Sequence, residues 1–239
     1  MVISIKKAIL AIFILILVAG AVFVTVKNEI KNTSATPPLS GKRIVIDAGH
    51  GGLDGGAVSK NGVSEKDINL KIAFYLKNYL EKNGAKVIMT RSNDRSLHTD
   101  DKGSVKSKKR SDLMTRRNIA NNSDADALVS IHLNFFEQSK YKGAQVFYES
   151  VHKESLLLAQ KIQSEFKSGL DENNNRQVAK IDSSKIMYQN LLLPAVIAEC
   201  GFLSNPEEAE LLTKKEYQEK VALCISIGII KYFGEIKNA

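Results

Sequence analysis

The sequence predicts a single α/β domain: a mainly parallel sheet of about six strands flanked by helices. Two observations carry this. Short, uninterrupted apolar runs alternate along the chain with segments of helical periodicity, as in β–α units whose sheet is covered on both faces. At 239 residues the chain also suffices for one substantial domain, with two very small ones disfavoured.

The elements follow in order. "KRIVIDA" (42–48) is a short apolar run stopped by glycine and reads as a buried strand. Ile68, Ile72, Tyr75, Leu76, Tyr79 and Leu80 recur at helical spacing, with Gly84 as the stop. "KVIMTR" (86–91) is a second strand. Residues 92–109 are polar and lysine-rich without a period, which predicts a loop. A helix follows from about Ser111 to Asn121, then strands at "DALVSIHL" (126–133) and "GAQVFYE" (143–149). Glu154–Leu170 is helical, "SKIMYQ" (184–189) suggests a short strand, and "PAVIAECGF" (194–202) is a buried one. Residues 207–213 and about 215–233 close the domain as helices.

Ahead of it, Lys6 and Lys7 precede an unbroken apolar run from Ala8 to Val26. Nineteen residues approach the length that spans a hydrocarbon core, and exceed the usual signal-peptide core. A small-x-small site at Ala19 and Ala21 keeps cleavage open. The segment therefore reads as a cytoplasmic tip with a transmembrane anchor, or as a cleaved signal. The positive-inside rule then exports the remainder of the chain. Residues 27–40, with Pro37 and Pro38, form a linker, and the catalytic domain occupies 41–237.

Composition excludes disorder, at 44% apolar and 25% charged residues. A net charge of +8 suits an anionic partner without choosing among nucleic acid, a membrane surface or an acidic wall polymer. The basic run Lys102, Lys106, Lys108, Lys109 and Arg110 has no interleaved aromatics, which argues against a reader of nucleic acid. Cys200 and Cys224 both fall in apolar segments and read as small buried hydrophobes.

Sheets of this class carry their sites beyond the carboxyl ends of the strands. His50 follows the first strand, His132 closes the third, Glu199 lies near the end of the last, and Glu65 opens the helix after the glycine loop. Two imidazoles and a carboxylate form a common three-ligand zinc set, and a second carboxylate can serve as general base. Each residue also has a plainer reading: loop or strand-end histidines bonded to backbone, and a Glu65 that complements its helix dipole beside a Ser64 N-cap. Glu199 resists one, because a carboxylate between Ala198 and Cys200 in an apolar strand is costly. Asp47 and Asn134 flank the histidines as supporting partners, and Asp54 can brace the loop. His98 and His152 miss the strand ends and read as surface residues.

The glycines of "IDAGHGGLDGG" do not complete a phosphate loop, because Asp54 stands where G-x-G-x-x-G needs its third glycine. Their expected role is a sharp turn, with open space beside His50 for a large substrate.

Taken together, "IVIDAGHGGLDGGAV", Glu65 in "GVSEKDINL", "VIMTRSND", "LMTRRNIANNSDADALVSIHLN" and "AVIAECGFLSNPEEAELL" resemble the zinc-dependent N-acetylmuramoyl-L-alanine amidases of the amidase-3 group. The likeness runs in order over about 42–234, nearest to members from spore-forming bacteria. It implies the phosphorylase/hydrolase-like fold, Zn2+ on His50, Glu65 and His132, and Glu199 as the catalytic carboxylate. The implied substrate is peptidoglycan, cut between N-acetylmuramic acid and L-alanine, in spore cortex maturation (muramic-δ-lactam formation) and germination. Cys200 departs from the family pattern, and the 132–199 interval has no room for an inhibitory helix insertion. Control by an accessory activator protein at the membrane surface is therefore expected. The rival readings are a carboxypeptidase or endopeptidase on a similar zinc scaffold, and a catalytically inactive wall-binding module.

Overall fold

A computed structural model describes residues 36–99 and 102–237, with Ile16, Leu17 and Gly20. The anchor-or-signal segment and most of the linker lie outside the described residues. Among the described residues no helix is long and apolar enough to cross a membrane.

The strands are β1 (Arg43–Ala48), β2 (Lys86–Met89), β3 (Ala127–Asn134), β4 (Gln145–Tyr148), β5 (Ala179–Lys180) and β6 (Ala195–Phe202). They form one sheet in the order β2-β1-β3-β6-β4-β5. β2, β1, β3 and β6 are mutually parallel, whereas β4 runs antiparallel to β6 and parallel to β5. The helices are α1 (Glu65–Lys82), α2 (Val105–Asn121), α3 (Lys153–Gly169), α4 (Pro206–Thr213) and α5 (Lys215–Lys237).

Two apolar layers enclose the sheet. On one face Ile72 and Leu76 of α1, Ile162 and Phe166 of α3, and Ile225 and Ile229 of α5 join the inward residues of β1, β3 and β6. On the other, Val45, Leu128 and Ala195 meet Ala120 of α2 and Met187, Leu191 and Leu193 of the chain before β6. Both cysteines are free and buried in the larger layer. Cys200 therefore faces away from its neighbour Glu199, as strand alternation requires.

Three sequence expectations need correction. α2 begins at Val105, about six residues before the expected start, inside the segment read as a loop. The Ser104 hydroxyl caps it, accepting from the Ser107 N–H at 3.2 Å. Its first turns carry exposed lysines and touch no core, so periodicity could not reveal them. "SKIMYQ" holds no strand: Ile186–Tyr188 is a 3₁₀ turn, closed by the Tyr188 N–H on the Lys185 carbonyl. The edge strand β5 was not foreseen, because two residues carry no periodic signal.

Candidate metal centre and active site

β1 delivers the chain to Gly49 and His50 at the carboxyl edge of the sheet, where His50 adopts a left-handed φ of 62°. Two buried arginines hold this turn. Arg116 of α2 donates to the carbonyls of Ala48 (2.9 Å) and His50 (2.6 Å), and to Asp47 (2.7 Å) and Asp112 (2.6 Å). Arg91, just after β2, donates to the carbonyls of Ala48, Gly49 and Lys66 at 2.8–2.9 Å. Backbone strain at a non-glycine residue persists only when its surroundings fix it, and these arginines do so.

The glycines serve close packing. A Cβ on Gly49 would lie 2.3 Å from the His132 ring. Gly56, at φ +67°, would place one 2.5 Å from Glu65 Oε2. The space at Gly49 and Gly56 is thus filled by the protein's own ligand-type side chains, while Gly49 and His50 also line an open cavity. The loop amides are also spent internally. Gly52 N–H bonds Asp94, Leu53 N–H bonds Ser96, and Gly56 N–H bonds Asp54. No row of free N–H groups remains to cradle a phosphate.

Glu65 is the first residue of α1. Ser64 occupies the N-cap position but gives its hydroxyl to the Gly55 carbonyl at 2.9 Å, so it does not cap the helix. The buried Glu65 carboxylate is fixed by Ala57 N–H (2.8 Å), Leu133 N–H (3.0 Å) and Asn69 Nδ2 (3.2 Å). Its Oε1 lies 3.2 Å from His50 Nε2 and 3.0 Å from His132 Nδ1. The two imidazoles meet edge-on, centroids 4.9 Å apart. One donor atom from each of His50, Glu65 and His132 falls within 4.8 Å of the others. That geometry and that N/N/O donor set fit a divalent cation of the zinc type, with a coordination position left open.

Burial alone would lower the His50 pKa, but the carboxylates of Asp54 and Glu65 lift it to about 9. Burial disfavours ionised Glu65, yet His132 and His50 hold it well below the usual carboxylate range. The site is electrostatically prepared for positive charge. Asp54 lies 2.9 Å from His50 Nδ1, off the alignment of a hydrogen bond, and its Oδ2 is 3.2 Å from Lys109 Nζ.

Glu199 sits opposite His132 in the β3–β6 register, so both side chains leave the same face. Just beyond them the register shifts before Asn134 pairs with Phe202, and Gly201 there takes φ 149°. Glu199 Oε2 is buried without a hydrogen-bond partner, and burial pushes its pKa up. Glu199 and the three ligand-type residues line one cavity of about 290 Å³. Its far wall is Lys185, Ile186, Met187 and Tyr188.

The supporting residues divide. Asp54 lies against His50 and accepts from the Gly56 N–H of the loop at 3.3 Å. Asp47 touches neither imidazole. It accepts from Arg116, Thr90 (2.7 Å) and Ser130 (2.5 Å), and so acts on His50 only through the arginine. Asn134 accepts from its neighbour Phe135 N–H at 2.9 Å and makes no hydrogen bond to His132. His152 is no free surface residue, since its Nδ1 pairs with the buried Glu149 at 2.8 Å. Sequence reasoning missed Arg91, Arg116 and Tyr188. The two arginines stand inside the family-like segments "VIMTRSND" and "LMTRRNIANN", but a buried arginine leaves no periodic trace.

A family model described as N-acetylmuramoyl-L-alanine amidase matches residues 44–231. The germination-specific N-acetylmuramoyl-L-alanine amidase of Bacillus subtilis (strain 168) is 44% identical over 198 residues, covering 83% of this chain and 82% of the relative. The solved structure of the CwlD amidase from Clostridioides difficile, in complex with the GerS lipoprotein, aligns with a TM-score of 0.78 at 46% identity, covering 81% of this chain and 99% of that one. An N-acetylmuramoyl-L-alanine amidase from Clostridium difficile 630 aligns at 0.70 and 32% identity, covering 81% and 97%.

Proposed function

The chain belongs to the N-acetylmuramoyl-L-alanine amidase family, and from that premise we propose that it uses zinc to hydrolyse the amide between the lactyl group of N-acetylmuramic acid and L-alanine in peptidoglycan. The observation that carries this is the convergence of His50, Glu65 and His132 on one point, with an unpartnered Glu199 carboxylate in the same cavity. Those three residues would hold the zinc, which when bound would supply Lewis-acid polarisation of the scissile carbonyl and acidify a water.

The chain's own groups do the rest. Arg91 and Arg116 fix the His50 turn, so the donor atoms need little reorganisation. Glu65, tied by three N–H groups, keeps its carboxylate between the two rings. Glu199 Oε2 accepts the proton of the attacking water and passes it to the departing L-alanine nitrogen as the C–N bond breaks. The water's second proton leaves as the new lactyl carboxyl group ionises. The raised pKa of buried Glu199 suits a group that must first accept and then release a proton.

The germination-specific B. subtilis relative supports a role in germination. Lys6, Lys7 and the apolar run 8–26 support an exported domain held at the membrane, or secreted if that run is cleaved. The C. difficile relative's lipoprotein complex supports an accessory partner at that membrane.

The test is product analysis of purified peptidoglycan incubated with the zinc-loaded protein. New L-alanine amino termini and sugar without peptide are expected. New termini elsewhere in the stem peptide would make the protein a peptidase.

A further inference from the structure

Among the described residues, four buried side-chain polar atoms have no hydrogen-bond partner: His50 Nδ1, Asn69 Oδ1, Tyr188 Oη and Glu199 Oε2. Such atoms are few in folded proteins, because each costs the desolvation of a polar group. His50, Tyr188 and Glu199 line the same cavity. Zinc-dependent hydrolysis employs His50 and Glu199 and leaves the Tyr188 hydroxyl unexplained.

Tyr188 ends the 3₁₀ turn that faces the His50–Glu65–His132 cluster. Its ring packs on the apolar layer of Val45, Leu128 and Leu191, so the position of its hydroxyl is set by the core. Two of the cationic donors of the cavity are committed elsewhere. Arg116 is committed to Asp47, Asp112 and two carbonyls, and Lys109 to Asp54. Lys185 is exposed at the rim. Burial, helped by the charges of Asp47 and Glu199, pushes the Tyr188 phenol far above its ordinary pKa. This keeps the phenol a neutral O–H donor near neutral pH.

Amide hydrolysis moves negative charge onto the carbonyl oxygen as water adds. A fixed donor aimed at that oxygen, in a site shielded from water, stabilises the transition state more than the ground state. We propose that Tyr188 is a catalytic residue, its hydroxyl donating a hydrogen bond to the scissile carbonyl oxygen as charge develops there. The proton remains on Tyr188 throughout; the C–O bond forms and the C–N bond breaks with the proton traffic carried by Glu199. This rests on the amidase reading.

The competing assignment is structural. Ser130 acts on the phenol as a side-chain hydrogen-bonding neighbour that opposes the effect of burial, short of full hydrogen-bond geometry, and its own hydroxyl, given to Asp47 at 2.5 Å, retains acceptor capacity. The two assignments predict opposite signs for Tyr188→Phe. Deleting an unpartnered buried hydroxyl leaves stability unchanged or raises it, whereas deleting a bonded one lowers it.

The experiment compares the full-length wild-type chain and Tyr188→Phe in three measurements: kcat and KM on a defined peptidoglycan fragment, zinc per chain, and the urea midpoint of the metal-free protein. The expected result is kcat lower by roughly 10²–10³-fold, with KM, zinc content and midpoint held, or the midpoint raised. Unchanged kcat overturns the proposal, as does a kcat loss that comes with a lower midpoint. A wild-type chain that binds zinc but releases new stem-peptide termini other than L-alanine overturns the amidase reading itself.

Discussion

On one wall of the cavity, the turn after β1 has the carbonyls of Ala48, Gly49 and His50 each held by a buried arginine, and its Gly49 and Gly56 are closed off by side chains. On the facing wall, the 3₁₀ turn presents Tyr188 with no partner, and Glu199 beside it is likewise bare. The first wall has its backbone carbonyls satisfied, with His50 Nδ1 the one buried side-chain atom left over among the described residues, and is fixed. The second holds polar groups in reserve at a cost in stability. Ligand geometry requires the former and chemistry on a substrate the latter. Substitutions on the two walls should therefore fail differently.

The largest effect is expected from Glu199→Gln, which keeps shape but accepts no proton. Amidase activity should fall by roughly two to four orders of magnitude. Zinc content and urea midpoint should hold, because no partner is lost. Near wild-type cleavage by this variant would move the base elsewhere.

On the fixed wall the loss should appear in stability. Arg116→Met strips Asp47 and Asp112 of their shared cation and should destabilise the fold by about 3–5 kcal/mol. Urea denaturation of the metal-free protein reads this directly. A loss below about 1 kcal/mol would show that the two walls do not differ in this way.

Acid titration sharpens the point. Burial alone would raise the Asp47 pKa, but Arg116, with Ser130 and Thr90, holds it at about 2, below the ordinary 3.8. The stabilisation from this shift is therefore fully present above the unfolded-state value and lost as pH falls through about 2. It amounts to about 2 kcal/mol. Urea midpoints from pH 5 to pH 2 should fall more steeply for the wild type than for Asp47→Asn; parallel curves would refute the assignment.

The smallest effect belongs to Lys109→Ala. Its contact with Asp54 is half-exposed, so stability should change by less than about 1 kcal/mol. Thermal melts of the two proteins suffice to check this.

The contrast also explains what the sequence could reveal. β1, β3 and β6 declared themselves because strands buried on both faces are continuously apolar, and His132 and Glu199 stood out as polar residues at their ends. Glu65 was found as the opening of a periodic helix. Arg91 and Arg116 stayed hidden because their value lies in carbonyls distant in sequence, 66 residues away for Arg116 and His50. The start of α2 stayed hidden because a solvated turn has no apolar stripe. Tyr188 lies in a stretch whose apolar residues suggest a strand, and a three-residue 3₁₀ turn leaves no period to detect.

The triad itself has a consequence for the chain as a polymer. His50, Glu65 and His132 come from a loop, a helix start and a strand end, and no unfolded chain holds them together. A metal seated there joins points 82 residues apart along the chain (132 − 50) and acts as a reversible cross-link on the native state alone. Glu65 begins the helix whose Ile68, Ile72, Leu76 and Leu80 are buried in the larger core layer. Tension on that clip therefore passes straight into the packing of α1. By mass action, each tenfold rise in free metal above its dissociation constant adds about 1.4 kcal/mol to the unfolding free energy. The melting temperature of this domain is thus a gauge of metal supply in whatever compartment it occupies.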